Sequence, residues 1–319
     1  MQAVFLDRNT VDHGDIDFSP LLTTPATWTF HNITQPGKRA ERLKDAEIVI
    51  TNKVAIDAPT LATAPHLRLI CLAATGYNNI DLTAAQRAGV TVCNVRRYAT
   101  PSVVQHVFAL MLSLTTHLTD YHRAVQRGAW QNCKQFSLLD YDIEELAGKT
   151  LGIIGYGELG TAVANVARAF GMTVLISRRP GAEDNRPDRL PLKALLPRVD
   201  VLSLHCPLTE ATRGLIGAAE LALMKPTALL INAARGGIVE ETALADALRQ
   251  GRLRGAGVDV LTEEPPVHGN PLLSDDIPNL IITPHIAWAS RQSRQRVVDE
   301  MAKNIEAFVQ GKPRNVVRP

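Results

Sequence analysis

The sequence predicts an α/β protein built on parallel β-sheets, and three observations support this prediction. Short apolar segments of strand length alternate with helix-like segments through most of the 319 residues. A glycine-rich turn at 155–160 joins one of these strands to a helix. Polar residues follow several later strands, at the sheet edge where open α/β folds bind their ligands. Such alternation is typical of parallel sheets covered by helices.

The first hundred residues predict a small parallel α/β domain. Strands are expected at 4–6, 47–51, 67–72 and 91–94, with helices at 37–43, 57–64 and 82–88. One long helix is then expected from Pro101, in its first turn, through Tyr121 or beyond. Residues 132–142 are polar and aromatic, and we expect them to form an extended arm or loop.

The second half of the chain predicts another βα series. Its strands are expected at 149–154, 172–177, 199–205, 228–231, 255–260 and 280–283. Its helices are expected at 161–170, 192–196, 218–224 and 242–250, with a last helix at 291–310 beyond the final strand. A length of 319 residues suits two domains of this kind.

The glycine-rich turn has the spacing GxGxxG and comprises Gly155, Tyr156, Gly157, Glu158, Leu159 and Gly160. Between a strand and a helix, and with a second strand after the helix, this pattern predicts a dinucleotide site. The first glycine allows a tight turn, the second lets the backbone approach a pyrophosphate, and the third lets helix and strand pack closely. The helix N-terminus would then present free N–H groups to the phosphates.

The end of the second strand of this unit bears on the choice of cofactor. NAD-specific sites usually carry Asp or Glu there, about 20 residues past the glycines, to bind the ribose 2′-hydroxyl. Here Ser177, Arg178 and Arg179 occupy the position, and no carboxylate follows until Glu183. Guanidinium groups bind phosphate oxygens, so the sequence favours NADP(H), with NAD(H) possible. The alternative is that these arginines form only a solvated turn.

Composition excludes several classes of partner. The apolar content of 45%, the charged content of 21% and the net charge of +2 are those of an ordinary globular protein. They give no reason to expect nucleic acid or a membrane as a partner. The first residues lack a basic leader and a long apolar run, so we expect no signal peptide. The four cysteines have no metal-ligand spacing, and we expect them to be reduced in a cytoplasmic protein without a metal.

Three residues after strand ends suggest the chemistry. Arg235 precedes two glycines after one predicted strand, Glu264 follows the next, and His285 follows the last. Reduction of a 2-oxo acid needs a cation for the substrate carboxylate, a histidine to protonate the carbonyl oxygen, and a carboxylate to keep that histidine charged. Taken singly, each residue has an ordinary structural explanation. Together at the strand ends of one dinucleotide domain, they predict a catalytic site.

These motifs resemble those of the D-2-hydroxyacid dehydrogenases, in the same order and over essentially the whole chain. The resemblance rests on the segments 155–160, 205–209, 232–237, 257–260, 264–265 and 283–285, and on the loop 74–81. Within that family the segments 73–81 and 285–289 are most similar to the glycerate dehydrogenase and hydroxypyruvate (glyoxylate) reductase branch.

The resemblance implies two Rossmann-like domains: a discontinuous substrate-binding domain at 1–100 plus 288–319, and an NAD(P)-binding domain at 101–287. It implies that Arg235 binds and polarises the 2-oxo acid and that Glu264 pairs with His285, the acid/base. Thr75 and Gly76 would offer backbone N–H groups to the substrate carboxylate. Further cofactor contacts would come from Cys206, Pro207, Ala233 and Asp259, with Asn232 nearby. The long helix and the arm would build a homodimer.

Two alternative functions are consistent with parts of this pattern. Formate dehydrogenases resemble the chain but have Gln in place of Glu264, and Gln does not hold a positive imidazolium. Corepressors that sense nucleotides are related to the same family and can keep the three catalytic residues. They carry additional docking segments, which we do not expect here. Another 2-oxo-acid reductase of the same family is the remaining alternative.

Overall fold

The computed structural model describes residues 1–181, 183–184 and 186–319. The chain divides into two compact units, Met1–Ala99 with Trp288–Pro319, and Thr100–Ala287. Each unit contains one parallel β-sheet with helices, so the predicted α/β class with two Rossmann-like sheets is confirmed. Within the described ranges, no helix is both long and apolar enough to span a bilayer.

The first unit is built on a five-stranded sheet of order β2-β1-β3-β4-β5, in which every pair is parallel. Its strands are β1 (Gln2–Phe5), β2 (Thr27–Phe30), β3 (Ile48–Thr51), β4 (Leu69–Leu72) and β5 (Thr91–Cys93). Its first helices are α1 (Ser19–Leu22), α2 (Arg39–Leu43), α3 (Ala58–Ala62) and α4 (Leu82–Arg87). The central strands β3 and β4 are buried throughout, which explains their continuous apolar sequence. The strand β2 was not predicted.

The second unit is built on a seven-stranded sheet of order β12-β11-β10-β9-β6-β7-β8, also parallel in every pair. Its helices are α5 (Thr100–Thr115), α6 (Leu118–Gln126), α7 (Glu158–Ala169), α8 (Leu192–Leu195), α9 (Ala218–Leu221) and α10 (Glu241–Arg249). Its strands are β6 (Thr150–Ile154), β7 (Thr173–Ser177), β8 (Arg189–Leu190), β9 (Val201–Leu204), β10 (Leu229–Asn232), β11 (Gly255–Val258) and β12 (Leu280–Ile282).

The prediction of one long helix from Pro101 through Tyr121 was wrong. The helix ends at Thr115, and a second helix begins at Leu118. His117 between them has a φ of 49°, in the left-handed region that an α-helix cannot contain. The hydroxyl groups of Thr115 and Thr116 donate to carbonyls of the preceding turn, which helps to end α5. Residues 132–142 contain no helix or strand.

The last helix, α11 (Arg291–Val309), belongs to the first unit. Its buried side chains Val297, Val298, Met301 and Ile305 share a core cluster with β-strand residues such as Phe5. Thus one face of the first sheet is covered by a helix that follows the entire second unit in sequence.

Candidate active site

The glycine-rich turn between β6 and α7 has the backbone that a phosphate cradle requires. Gly155 has a φ of 92°, and a Cβ atom there would lie 2.5 Å from the backbone of His205 and Cys206. A Cβ atom on Gly160 would collide with the carbonyl oxygen of Gly155. Among the described residues, no atom lies within 4 Å of the Cβ position of Gly157, the N-cap of α7. The turn is therefore tightly packed at Gly155 and Gly160 and open at Gly157.

This turn lies at the point where the strand order of the sheet reverses. From β6, the strands β7 and β8 follow on one side, and β9 to β12 on the other. The segment containing His205, Cys206 and Pro207 follows β9, and the His205 N–H donates to the Ile154 carbonyl at 2.7 Å. Burial of the His205 ring lowers its pKa to about 4. This segment is therefore uncharged near neutral pH, at the crevice where α/β sheets bind ligands.

The end of β7 presents two exposed arginines, Arg178 and Arg179, after the buried Ser177. A carboxylate is also present there, although sequence spacing did not indicate its role. Asp184 accepts from the Arg179 N–H at 3.0 Å and from the Arg186 guanidinium at 2.6 Å, twice. These bonds, chiefly that of Arg186, hold the pKa of Asp184 below its ordinary range. Because an arginine neutralises Asp184, this edge keeps its positive character.

Arg189 is a further basic residue near the glycine-rich turn, and it was not among the predicted site residues. It is buried, its guanidinium carbon lies 4.7 Å from the centroid of the Tyr156 ring, and its Nε lies 3.2 Å from Asp188. The pairing of β7 with β8 places it beside Ile176. A strand of two residues has no periodic sequence pattern, so the position of Arg189 could not be predicted from the sequence.

His285 and Glu264 come together across 21 residues of sequence. The imidazole Nδ1 lies 2.6 Å from the Glu264 Oε2, and about 30% of each side chain is exposed. His285 has a φ of 55°, and its N–H donates to the Asp259 carbonyl at 2.8 Å. The Leu261 N–H donates to the other Glu264 oxygen at 2.9 Å. With Nδ1 fixed on a carboxylate, Nε2 is the nitrogen that can deliver a proton.

Asp259 fixes the backbone next to His285. It is 1% exposed and accepts from the N–H groups of Ile286 and Ala287 at 2.9 Å and from the Thr283 hydroxyl at 2.5 Å. The Nε2 of His106 lies 3.4 Å away. Burial by itself would raise the pKa of Asp259, but these hydrogen bonds together hold it below its usual value. Asp259 is therefore a buried anion that organises the segment after β12.

Arg235 lies in the turn after β10, which touches the loop after β11. Asn232 holds this turn by accepting from the Ala234 N–H and by donating to the Arg235 carbonyl, both at 3.1 Å. A Cβ atom on Gly236 would collide with the backbone of Leu261, so no side chain could separate the two loops. The Leu261 N–H also donates to Glu264, the partner of His285. The turn that carries Arg235 therefore packs against the residue that holds Glu264.

Thr75 and Gly76 lie in the first unit, in the loop after β4. The Thr75 hydroxyl donates to the Val95 carbonyl at 2.7 Å, and the Asn94 side chain donates to the Thr75 carbonyl at 2.8 Å. The buried Asn304 of α11 in turn donates to the Asn94 carbonyl at 2.9 Å. This loop is therefore held by neutral amides.

Within each unit, the predicted catalytic and substrate-binding residues lie at the carboxyl edge of that unit's own sheet. Arg235, Glu264 and His285 follow the neighbouring strands β10, β11 and β12. Thr75 and Gly76 follow β4 of the other sheet. Ala233 lies beside Asn232 at the end of β10. Within the described part of the chain, no group of three or more His, Cys, Asp or Glu side chains could hold a metal.

The chain is similar in sequence to several known proteins. Residues 108–287 match the family model described as D-isomer specific 2-hydroxyacid dehydrogenase, NAD binding domain. The chain is 45% identical to a glycerate dehydrogenase of Methylorubrum extorquens, over 99% of this chain and 98% of the relative. It is 37% identical to a hydroxypyruvate reductase of Blautia hydrogenotrophica, over 99% of both chains.

A solved structure agrees in fold over nearly the whole length. It is that of an NADPH-dependent glyoxylate/hydroxypyruvate reductase of Sinorhizobium meliloti in complex with citrate, with a TM-score of 0.82 and 26% identity. The match covers 99% of this chain and 97% of the other. These matches give no support to the corepressor alternative. The chain belongs to the D-isomer-specific 2-hydroxyacid dehydrogenase family and is an NAD(P)-dependent oxidoreductase.

Proposed function

We propose that this enzyme reduces hydroxypyruvate or glyoxylate to the corresponding 2-hydroxy acid, with NADPH preferred over NADH. The observation that carries the proposal is the His285–Glu264 pair, joined at 2.6 Å beside the turn of Arg235. The names of the relatives from Methylorubrum and Blautia support the substrate class. Small 2-oxo acids have a carboxylate next to the reacting carbonyl, which suits one arginine and one proton donor.

Each side chain would have a distinct role. Arg235 would hold the substrate carboxylate and polarise the adjacent carbonyl, and the backbone N–H groups of Thr75 and Gly76 would bind the same carboxylate. The His285 Nε2 would deliver a proton to the carbonyl oxygen. Glu264 would hold the imidazole in position and stabilise its charged form. Asp259 would act indirectly, by fixing the backbone on which His285 stands.

The second unit suits a dinucleotide in three respects. Gly155 and Gly160 leave no room for side chains, and the space above Gly157 is open for a pyrophosphate. The N-terminus of α7 supplies N–H groups to it. When bound, the reduced nicotinamide supplies the hydride. Further contacts would come from Tyr156, Glu158, Leu159, Ser177, Cys206, Pro207, Ala233 and Asp259.

The preference for NADPH is supported by the positive end of β7. Arg178 and Arg179 are exposed there, and the nearby Asp184 is neutralised by Arg186. A 2′-phosphate would gain charge-assisted hydrogen bonds, whereas NADH would lose little against an exposed arginine. We expect kcat/KM to favour NADPH by roughly tenfold or more.

Initial rates with hydroxypyruvate, glyoxylate, pyruvate and phenylpyruvate, each with both reduced cofactors, test the proposal directly. The fastest rate should be obtained with hydroxypyruvate or glyoxylate and NADPH. A faster rate with pyruvate or phenylpyruvate would assign the enzyme to another 2-oxo-acid reductase of the family. Arg178→Asp should reverse the cofactor preference. If the parent enzyme prefers NADH, then Arg178 and Arg179 form only a solvated turn and do not bind a 2′-phosphate.

The role of His285 is tested by His285→Ala, with His122→Ala as the control because that histidine is exposed in α6. General acid–base catalysis is typically worth ~10²–10⁴-fold in rate. We therefore expect turnover to fall within that range while cofactor affinity is kept. If the variant stays within about threefold of the parent, the proton donor lies elsewhere.

We further propose a cytoplasmic homodimer formed through the second unit. Several large apolar side chains between α6 and β6 are exposed, including Trp130, Phe136 and Leu139, with Phe136 at 93%. Exposed apolar surface of this kind often marks a protein interface. The four free cysteines suit a reducing compartment. Sedimentation of the parent and of Phe136→Asp tests the dimer, since the parent should sediment as a dimer and the variant as a monomer.

A further inference from the structure

The first unit contains a basic groove between the segment after β5 and the helix α11. It has a volume of about 560 Å³. Five basic side chains line it: Arg96, Arg97, Arg296, Lys303 and Arg314. Volumes of this size are typical of sites for small molecules. None of these residues has a role in the proposed reaction.

Fewer acidic than basic side chains line the groove. Among the residues that the structure describes, Asp299 and Glu300 are the acidic side chains that line it with the five basic ones. Glu300 is bound to Lys303 at 2.9 Å and to Arg314 at 2.7 Å. Asp299 accepts from the Gln295 side chain at 3.0 Å. An excess of cations in a concave surface concentrates anions there, and arginine forks match phosphate and carboxylate oxygens.

Parts of the groove are held in place before any ligand binds. The Arg296 Nε donates to the Tyr98 carbonyl at 2.7 Å. The Arg96 Nε donates to the Asn94 side chain at 3.1 Å. Arg296 and Arg314 are only partly exposed, so their charges lie closer to the protein interior than those of surface lysines. Such preorganisation lowers the entropic cost of binding an anion.

A chain of amides connects the groove with the Thr75 loop. Asn94 accepts from Arg96 of the groove and donates to the Thr75 carbonyl at 2.8 Å. Asn315, which also lines the groove, donates to Asn304 at 3.0 Å, and Asn304 donates to the Asn94 carbonyl. Asn94 and Asn304 are 3% and 0% exposed. A shift of Arg96 toward a ligand therefore acts on the Asn94 side chain that holds Thr75, and a shift of Asn315 acts, through Asn304, on the Asn94 main chain.

We propose that this groove binds a small polyanion, a phosphate ester or a polycarboxylate, and that its occupancy changes the affinity of the Thr75 loop for the 2-oxo acid through Asn94. The second part rests on the proposed role of Thr75 in binding substrate. Linkage requires that substrate then change the affinity of the groove for the anion by the same factor.

Titration calorimetry of the full-length protein saturated with cofactor tests the binding. Pyrophosphate and citrate are the probes, and acetate is the control of single charge. The double variant Arg97→Gln/Lys303→Gln removes two exposed charges of the groove. Its matched control is Lys44→Gln/Arg87→Gln, which removes two exposed charges of the same unit outside the groove. Thermal unfolding of both variants verifies that they are folded.

We expect the groove variant to bind the probe about thirtyfold or more weakly, because each lost charge-assisted bond is worth roughly tenfold. The control should stay within about twofold of the parent. Tighter binding of pyrophosphate points to a phosphate ester, and tighter binding of citrate to a polycarboxylate. Equal affinities in the groove variant and the parent, or no binding of either probe, would overturn the proposal.

Initial rates test the coupling. Saturation with the preferred probe should change the KM for the 2-oxo acid about fivefold or more while kcat is kept, a typical size for a coupling between sites. In Arg96→Gln, which loses the bond to Asn94 and one charge of the groove, the probe should bind more weakly, and at saturating probe the change in KM should disappear. Binding with no effect on KM refutes the coupling. If the protein binds the probe but reduces no 2-oxo acid, then the proposed function is wrong and the proposal that the groove binds an anion still stands.

Discussion

Asp7 in the first unit and Asp259 in the second are buried carboxylates that act in a similar way in two different sheets. Each follows the end of a parallel strand, β1 or β11, and each is nearly fully buried. Asp7 accepts from the backbone N–H groups of Asn52, Lys53 and Val54 after β3. Asp259 accepts from those of residues 286 and 287 after β12. Both carboxylates therefore fasten the loop that follows a nearby strand.

The two carboxylates differ in what else surrounds them. Burial dominates at Asp7 and raises its pKa, although the backbone N–H groups oppose the shift. At Asp259 the ring of His106 and the hydroxyl of Thr283 add to the backbone donors, and its pKa is lowered despite burial. The surroundings of Asp259, in the unit with the proposed proton donor, thus favour the charged carboxylate, whereas those of Asp7 disfavour it. We expect substitution of Asp259 to lower turnover, and substitution of Asp7 to weaken substrate affinity.

Asp259→Asn should have the largest effect. The new amide presents N–H groups toward backbone N–H groups, so the segment that carries His285 loses its anchor. Removing one partner of a buried charged network costs about 3–5 kcal/mol in the free energy of unfolding. A displacement of about 1 Å at a reacting group can cost ~10²-fold in rate. Urea unfolding and kcat with hydroxypyruvate measure both losses, and a variant with parental kcat would remove Asp259 from the positioning of His285.

Asp7→Asn should have a smaller effect and a different signature. Burial already disfavours the charged form of Asp7, so a neutral side chain loses less there, about 1 kcal/mol in the free energy of unfolding. The loop that Asp7 holds also contacts the Thr75 loop, because the Asn79 side chain donates to the Val54 carbonyl at 2.9 Å. We expect the KM for the 2-oxo acid to rise while kcat is kept. A fall in kcat with constant KM would reverse the assignment of the two units.

His106→Leu should make the hydrogen-bonding surroundings of Asp259 more like those of Asp7. It removes the ring that donates toward the Asp259–Thr283 pair at 3.4 and 2.9 Å, while the backbone donors remain. We expect a loss of about 1 kcal/mol in the free energy of unfolding, typical of one hydrogen bond. His122→Leu on the exposed face of α6 is the matched control and should change stability by less than about 0.5 kcal/mol. Equal losses in both variants would mean that His106 does not support Asp259.

The pH dependence of stability should show the smallest difference. The folded pKa of Asp7 lies above 3.8, so its burial costs nothing below about pH 3.8 and more as the pH rises through the folded value. The folded pKa of Asp259 lies below 3.8, so its contribution is present above that pH and is lost as the pH falls through the folded value. The destabilisation by Asp7→Asn should therefore shrink between pH 4 and pH 7, whereas that by Asp259→Asn should be constant there. Urea unfolding at both pH values checks this, and parallel trends would contradict the opposite pKa shifts.

Local signals explain which parts of the fold and site could be predicted. The turn at Gly155 and the buried strands such as β6 have patterns that act over a few residues. The pairing of Glu264 with His285 was expected because the resemblance to the D-2-hydroxyacid dehydrogenases implies it. Both strands that were not predicted, β2 and β8, are at the edges of their sheets. The strand β2 alternates exposed threonines with half-buried aromatic residues, and β8 has two residues, so neither has a continuous apolar run.

Other features depend on contacts that a linear pattern does not contain. The break at His117 occurs within a helix-like segment, and the His117 ring stacks on Tyr141, more than 20 residues later. Arg189 reaches Tyr156 because β8 joins the sheet beside β7. The matched pair Asp7 and Asp259 becomes visible only when the two sheets are compared strand by strand.

The placement of α11 has a consequence for the order of folding during synthesis. The second unit is continuous in sequence, so all of its residues have left the ribosome before α11 has emerged. The first unit is synthesised first but has an incomplete core, because Val297, Val298, Met301 and Ile305 come from α11. Domains usually fold as units during synthesis. In this chain, the part that is translated first therefore has to wait for the part that is translated last.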